Sequence, residues 1–172
     1  MTSYVVKKSN IYWPSKAMKK IAWVNSGKIY KDAEKNPVKF WNDMAKQGIT
    51  WEKLWKPENT YVQKLLYFWW FKGGKLNFSV NCLDRHLDEK SEKIALIWVP
   101  ESIKEKTIRL NYRQLYDKVN RLANVLKKYG VKKQDRVAIY LPLIPEALVA
   151  MLACTRIGAI HTVVFSAFSA EA

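Results

Sequence analysis

Residues 135–165, DRVAIYLPLIPEALVAMLACTRIGAIHTVVF, constrain the fold more than any other stretch of this chain. DRVAIYLP at 135–142 is an apolar run of strand length stopped by Pro142, and IHTVVF at 160–165 is a second. Neither shows the strict polar alternation of a half-solvated strand. Strands of this kind are covered on both faces, as in the parallel sheet of an α/β layer. Between them PEALVAMLACTRIGA reads as a mostly apolar helix, opened by Pro145 near its first turn and closed around Gly158. The turn SAF and a helix start, SAEA, with Ser169 as N-cap, follow the second strand. A two-stranded parallel pair needs further strands and helices to cover it. The stretch is therefore expected to begin a doubly wound, mainly parallel α/β domain, and the chain is expected to be a truncated piece of it.

Upstream, KIALIWV at 93–99 predicts a buried strand, and KTIRL at 106–110 a partner strand reached through the polar turn PESIKE. NYRQLYDKVNRLANVLKKYG carries a full set of helix signals. Asn111 and Gln114 form a capping-box pattern, Leu115, Val119, Leu122, Ala123 and Leu126 make an apolar stripe, and Gly130 ends the helix.

Residues 1–75 have a different texture, Lys-rich, Trp-rich and patchily helical. KIYKDAEKNPVKFWNDMAKQG puts Ile29, Ala33, Phe40, Trp41 and Ala45 near helical spacing, with Pro37 dividing it into two pieces. Seven of the 8 tryptophans lie here, at 13, 23, 41, 51, 55, 69 and 70. A segment of this size with few branched aliphatics is expected to pack such rings on another surface. An aromatic platform for sugar or single-stranded nucleic acid is the sharper alternative.

The formal charge of +15 raises nucleic acid or an anionic membrane as a partner. Its distribution argues otherwise: residues 1–75 hold 15 Lys, no Arg and 5 acids, and Arg is the side chain suited to phosphates and base edges. A solvated Lys-rich surface is expected, with nucleic acid not a partner. Cys82 and Cys154 have no metal-ligand spacing and indicate no disulfide framework. The N-terminus lacks the apolar core of a signal peptide, and no apolar run approaches the ~18 residues of a membrane span. A soluble, cytoplasmic protein without a membrane partner is the expectation.

WFKGGKLNFSVNCLDRHL at 70–87, KIALIWV, and LANVLKKYGVKKQDRVAIYLPLIPEALVAMLACTRIGAIHTVVFSAFSAEA together resemble the N-terminal part of the AMP-forming acetyl-coenzyme A synthetases, acetate–CoA ligases of the adenylate-forming superfamily. IYKDAEKNPVKFWNDMAKQGITWEKLWKP is similar to that family's N-terminal extension. The resemblance covers nearly the whole chain, and relatives that activate propionate or other short acids share it. It implies an extension over 1–75 and the beginning of an AMP-binding domain over 76–172. It also implies a two-step reaction on acetate or another short carboxylate, ATP with Mg2+, and CoA. The family's phosphate loop, acyl pocket and C-terminal lysine are expected downstream, on the remainder of the synthetase chain or on a complementary subunit. The 172 residues alone are expected to be inactive.

The resemblance places one piece of a site here. Where a strand of a parallel sheet gives way to a helix, backbone N–H groups and the helix dipole favour a phosphate. In the family this segment reads Phe followed by two small residues, commonly glycines, and contributes to the CoA nucleotide site. By position it implies CoA binding by Phe165, Ser166 and Ala167. The side chains at 166 and 167 depart from glycine and make φ > 0 less available. A plain strand-to-helix turn is the competing reading, and a stand-alone CoA-binding or interaction module is the alternative function.

Other tempting residues have structural readings. None of the 6 glycines has phosphate-loop spacing, and Gly73-Gly74-Lys75 is expected to be a turn. His161 is expected to be a satisfied core histidine. Asp84, Arg85 and His86 imitate a charge relay, but adjacent residues cannot all face one substrate, so structural pairing is expected. Cys154 is expected to be an inert packing residue.

Overall fold

The computed structural model describes residues 5–169. The first half begins with an antiparallel hairpin, β1 (Val5–Lys8) and β2 (Ile11–Pro14). Helices α1 (Lys16–Ile21), α2 (Lys28–Lys35) and α3 (Pro37–Gly48) follow. Asn36 caps α3 through the Lys39 amide, and Pro37 takes the first helical position, where its missing N–H costs nothing. A second antiparallel hairpin joins β3 (Tyr61–Lys64) to β4 (Tyr67–Trp70). The sequence reading places only helical pieces in this half; both hairpins are additions. Neither carries the Asn-Gly or Asp-Gly turn signal; instead Ser9 and Leu65 take left-handed φ values of 56° and 55°.

Part of the tryptophan set is enclosed locally, which corrects the expectation that it needs another surface. Trp55 is 6% exposed, with its ring centroid 4.8 Å from Trp51 and 4.4 Å from Phe71. Each indole N–H is satisfied: Trp51 donates to the Ala45 carbonyl at 2.9 Å and Trp55 to the Thr60 hydroxyl at 2.8 Å. The capacity of an aromatic ring to bury much area with one polar handle lets three rings make a small core. Trp13, Trp23 and Trp41 remain at least half exposed.

The second half contains α4 (Phe78–Cys82), a 3-10 turn (Asp84–His86) and α5 (Leu87–Lys90). The antiparallel pair β5 (Ile94–Trp98) and β6 (Ile108–Asn111) follows, with a bulge between Ile94 and Leu96. Next come α6 (Tyr112–Lys128), β7 (Arg136–Tyr140), α7 (Pro145–Ile157) and β8 (Ile160–Val164). The capping box of α6 is formed in both directions, with Gln114 N–H on Asn111 Oδ1 at 2.8 Å and Asn111 N–H on Gln114 Oε1 at 3.0 Å. Leu115, Val119 and Ala123 are its buried stripe, with Leu122 and Leu126 at the edge of the core.

β7 and β8 are parallel, in register from Arg136 opposite Ile160 to Tyr140 opposite Val164. Among the described residues this is the parallel part of the fold, and the other three strand pairs are antiparallel hairpins. α7 is apolar nearly all round because it is packed from several sides: Val149, Leu152 and Ala153 join the α6 core, while Cys154 packs with Ile139 and Ala159. Gly158 ends it at φ 75°, the left-handed cap conformation that glycine adopts without a Cβ penalty. The opposite sheet face, with Ala138, Tyr140 and Thr162, is exposed. His161 is half-buried, not a core histidine, because among the described residues β8 has a neighbouring strand on one side only.

One short segment ties both halves together. Asn77 caps α4 through the Val80 amide and also donates to the Arg156 carbonyl at 2.9 Å. Arg156 reaches back to Asp84 with both terminal nitrogens, and its guanidinium lies 5.1 Å from the centre of the Tyr116 ring. Toward the extension, Asn81 accepts from the Thr50 amide at 2.8 Å and donates to the Thr50 carbonyl at 2.9 Å, and Arg85 donates to the Gly48 carbonyl at 2.7 Å.

Two stability predictions follow from these contacts and are checked by urea unfolding. Asn111→Ala removes the side-chain arm of the capping box, the Asn111 Oδ1 acceptor of the Gln114 amide, while the backbone N–H that donates to Gln114 remains; it should cost about 1 kcal/mol. Asp84→Ala leaves a guanidinium unpaired. With the Asp84 side chain 28% exposed, the loss should be about 2 kcal/mol, below the ~3–5 kcal/mol of a fully buried pair. The solvent-exposed pair Lys39–Asp43 is the control, and Asp43→Ala should leave the midpoint unchanged.

Candidate functional site

The carboxyl ends of β7 and β8 lie side by side, because Tyr140 and Val164 are the last paired residues. In open α/β sheets ligands bind at this edge, where loops leave the strands. Two segments form it here: residues 141–144, leading into α7, and Phe165–Ser169, leaving β8.

The second segment is a tight turn, with the Phe168 N–H on the Phe165 carbonyl at 3.0 Å. Tyr140 braces it from the neighbouring strand. Its hydroxyl lies 3.2 Å from the Ser166 carbonyl and 3.1 Å from the Phe168 carbonyl, and its single hydrogen is shared between them or given to one. The rings of Phe165 and Phe168 meet edge to face at 5.6 Å and 77°, and both are more than half exposed. The turn thus offers solvent an aromatic surface on a braced backbone. Ser166 and Ala167 are exposed, and neither has a left-handed φ. The backbone therefore does not demand glycine at either position. Of the helix expected from Ser169, residues 170–172 lie outside the described residues.

The loop from β7 is held separately. Trp98, at the end of β5, donates its indole N–H to the Leu143 carbonyl at 2.7 Å. α7 then starts without a side-chain cap and with Glu146 in its first turn, a charge that offsets the positive end of the helix dipole and disfavours an anion there. Sequence reasoning missed Tyr140 and Trp98 as bracing residues. The signal available for Tyr140 was its place as the last polar-tipped side chain of a strand at the carboxyl edge.

The remaining candidates do not gather at this edge. Asp84, Arg85 and His86 point to three different partners: Arg156, the Gly48 carbonyl, and the Tyr112 ring with centroids 5.0 Å apart. Burial and the cations Lys90, Arg85 and Lys93 push the His86 imidazole below its ordinary value. Burial pushes the Cys82 and Cys154 thiols up, which suits packing and not nucleophilic attack. At Gly73-Gly74-Lys75 two of the three amides are spent on the fold, with Gly74 N–H on the Phe71 carbonyl at 2.9 Å and Lys75 N–H on the Lys53 carbonyl at 2.8 Å. A Cβ on Gly74 would sit 2.8 Å from Trp51 Cζ3, so this glycine is required by the close approach of an indole. Among the described residues no group of three or more His, Cys, Asp or Glu is placed to hold a metal, and no helix is long and apolar enough to cross a membrane.

Comparison with known proteins places these features in a family. Residues 26–82 match the acetyl-coenzyme A synthetase N-terminus, and residues 83–172 match the AMP-binding enzymes. The acetyl-coenzyme A synthetase of Leptospira biflexa serovar Patoc is 48% identical over 169 residues, which take in 96% of this chain and 26% of that protein. Acetyl-coenzyme A synthetase 2 of Pseudomonas aeruginosa is 44% identical over 158 residues, 90% of this chain and 24% of the relative. The chain thus spans about a quarter of the length of these relatives. Among solved structures, acetoacetyl-CoA synthetase from Streptomyces lividans superposes with a TM-score of 0.69 at 28% identity, over 77% of this chain and 20% of that one. With more than half of its residues matched, the chain belongs to the AMP-binding enzymes, and ahead of that region it carries a segment of the acetyl-coenzyme A synthetase N-terminal type.

Proposed function

We propose that the chain acts as the N-terminal portion of an AMP-forming short-chain acyl-CoA synthetase, with acetate as the carboxylate the relatives' names favour. In that reaction a carboxylate oxygen attacks the α-phosphorus of ATP and pyrophosphate leaves. The sulfur of CoA then attacks the acyl carbon of the adenylate and AMP leaves, with the thiol proton lost to a base. Residues 1–75 form the extension and 76–172 open the AMP-binding domain. A reducing, cytoplasmic compartment fits the two unpaired thiols.

Within this reading Phe165, Ser166 and Ala167 face the nucleotide end of CoA. The observation that carries it is the braced turn at the carboxyl edge of a parallel strand pair, with an exposed ring at its first position. Phe165 offers a face for adenine, and the small side chains at 166 and 167 let a phosphate approach the turn. Tyr140 acts through the turn as a positioning residue. ATP and Mg2+ are assigned to no residue of this chain, since no glycine here has phosphate-loop spacing. The remaining groups come from the rest of a synthetase chain or a complementary subunit.

Two outcomes are expected. The purified 172-residue chain should give no acetate-dependent exchange of pyrophosphate into ATP; detectable exchange would place the ATP groups within it. In calorimetric titration with CoA, Phe165→Ala should weaken binding by about tenfold, the worth of one base–aromatic stack. Tyr140→Phe should weaken it less, and equal affinity of Phe165→Ala and the parent would remove the turn from the site.

A further inference from the structure

The hairpin of β3 and β4 exposes apolar surface on both of its faces and at its tip. Tyr67, Phe68, Trp69 and Trp70 alternate between the two sides of β4. All four are exposed, and Leu65 and Leu66 in the turn are each 87% exposed. On one side Phe68 and Trp70 border a shallow hollow with Tyr61 and Val38. On the other, Tyr67 and Trp69 stack at 6.1 Å and 21°, with Lys72 Nζ 4.9 Å from the Trp69 ring. Lys64 stands opposite Tyr67 in the register, on that same side. Residues 59–75 include Lys64, Lys72 and Lys75 and no acid.

Contiguous exposed apolar surface of this kind marks an interaction site. Its shape is a projecting tip, suited to entering a plane of lipid more than to receiving a segment of protein. Indole and phenol rings with lysines beside them match the headgroup level of a bilayer, where one end of a side chain is apolar and the other wet. The charge settles the occupant's sign, since a cationic hairpin without acids complements an anionic surface. A second copy docked tip to tip would bring Lys64 against Lys64.

Against the expectation of no membrane partner drawn from the overall charge distribution, we propose that the β3–β4 hairpin, with its exposed apolar tip beside Lys64 and Lys72, is a peripheral docking site for an anionic lipid surface. Leu65 and Leu66 enter the boundary between headgroups and acyl chains, Tyr67 and Trp69 lie at headgroup depth, and Lys64 and Lys72 meet the anionic headgroups. The contact lies on the membrane without crossing it, and it does not depend on the CoA-facing turn.

The test is co-sedimentation of the 172-residue chain with vesicles of phosphatidylcholine alone and of equal parts phosphatidylcholine and phosphatidylserine. Binding should require phosphatidylserine and fall as salt rises. Leu65→Ser with Leu66→Ser should reduce it at least about tenfold, and Lys64→Gln with Lys72→Gln by about tenfold or more. These side chains are exposed, so far-UV circular dichroism of both variants should match the parent. Equal binding to the two vesicle types, or binding unchanged by the Leu substitutions, overturns the proposal. A dimer seen by light scattering that the Leu substitutions abolish, without vesicle binding by the parent, assigns the tip to a second copy and overturns it as well.

Discussion

Arg156 leaves α7 in its last turn and meets three elements at once: both oxygens of Asp84, the face of Tyr116 on α6, and, through its own carbonyl, the side chain of Asn77 ahead of α4. Only 16% of its side chain is exposed, and a guanidinium in such a place is tolerable only when its charge is answered; both terminal nitrogens are paired, while Nε is buried without a hydrogen-bond partner among the described residues. The answer comes from a segment more than seventy residues earlier in sequence, which forces α4 and the turn after it against α7. Leu83 and Ser79, both almost fully buried, are carried inward by the same placement. The block NFSVNCLDRHL therefore works as a clip. Asn81 and Arg85 hold Thr50 and the Gly48 carbonyl at the end of α3, while Asn77 and Asp84 hold the α/β half.

The position of the candidate site follows from that arrangement. With α7 fixed between the α6 core and the β7–β8 pair, the two parallel strands end level with each other and deliver their loops to one edge. Hydrogen bonds then set those loops, one from Tyr140 within the β7–β8 pair and one from Trp98 at the end of β5 in the neighbouring β5–β6 hairpin. The Phe165 turn is thus held from its neighbour strand, and the preorganisation of a proposed CoA contact is a property of the fold and not of the turn's own sequence.

Much of the second half is legible in the sequence because local signals agree there with the tertiary result. The Asn111–Gln114 box, the Leu115–Val119–Ala123 stripe and the Gly158 cap are short-range features that the structure keeps without competition. The hairpins of the first half were not legible, because Leu65 and Ser9 do the work usually left to glycine or asparagine. Nor was the enclosure of Trp55, which depends on Phe71 returning across a hairpin that sequence spacing did not announce. The half-exposure of His161 has a related reason: it lies on the same face as Val137, the face that packs with α7, but among the described residues β8 has a neighbouring strand on one side only. At the site, Phe165, Ser166 and Ala167 came from resemblance, while the brace from Tyr140 is a cross-strand relation that spacing along one strand cannot express.

The proposed contact of CoA with the carboxyl edge of the β7–β8 pair can be read by amide hydrogen exchange with and without CoA. The predicted result is slowed exchange at residues 165–168 and at Leu143 and Ile144, with no change at Gly73 to Lys75 or around Asp84. Protection confined to the Gly73 turn, or none anywhere at saturating CoA, would contradict it.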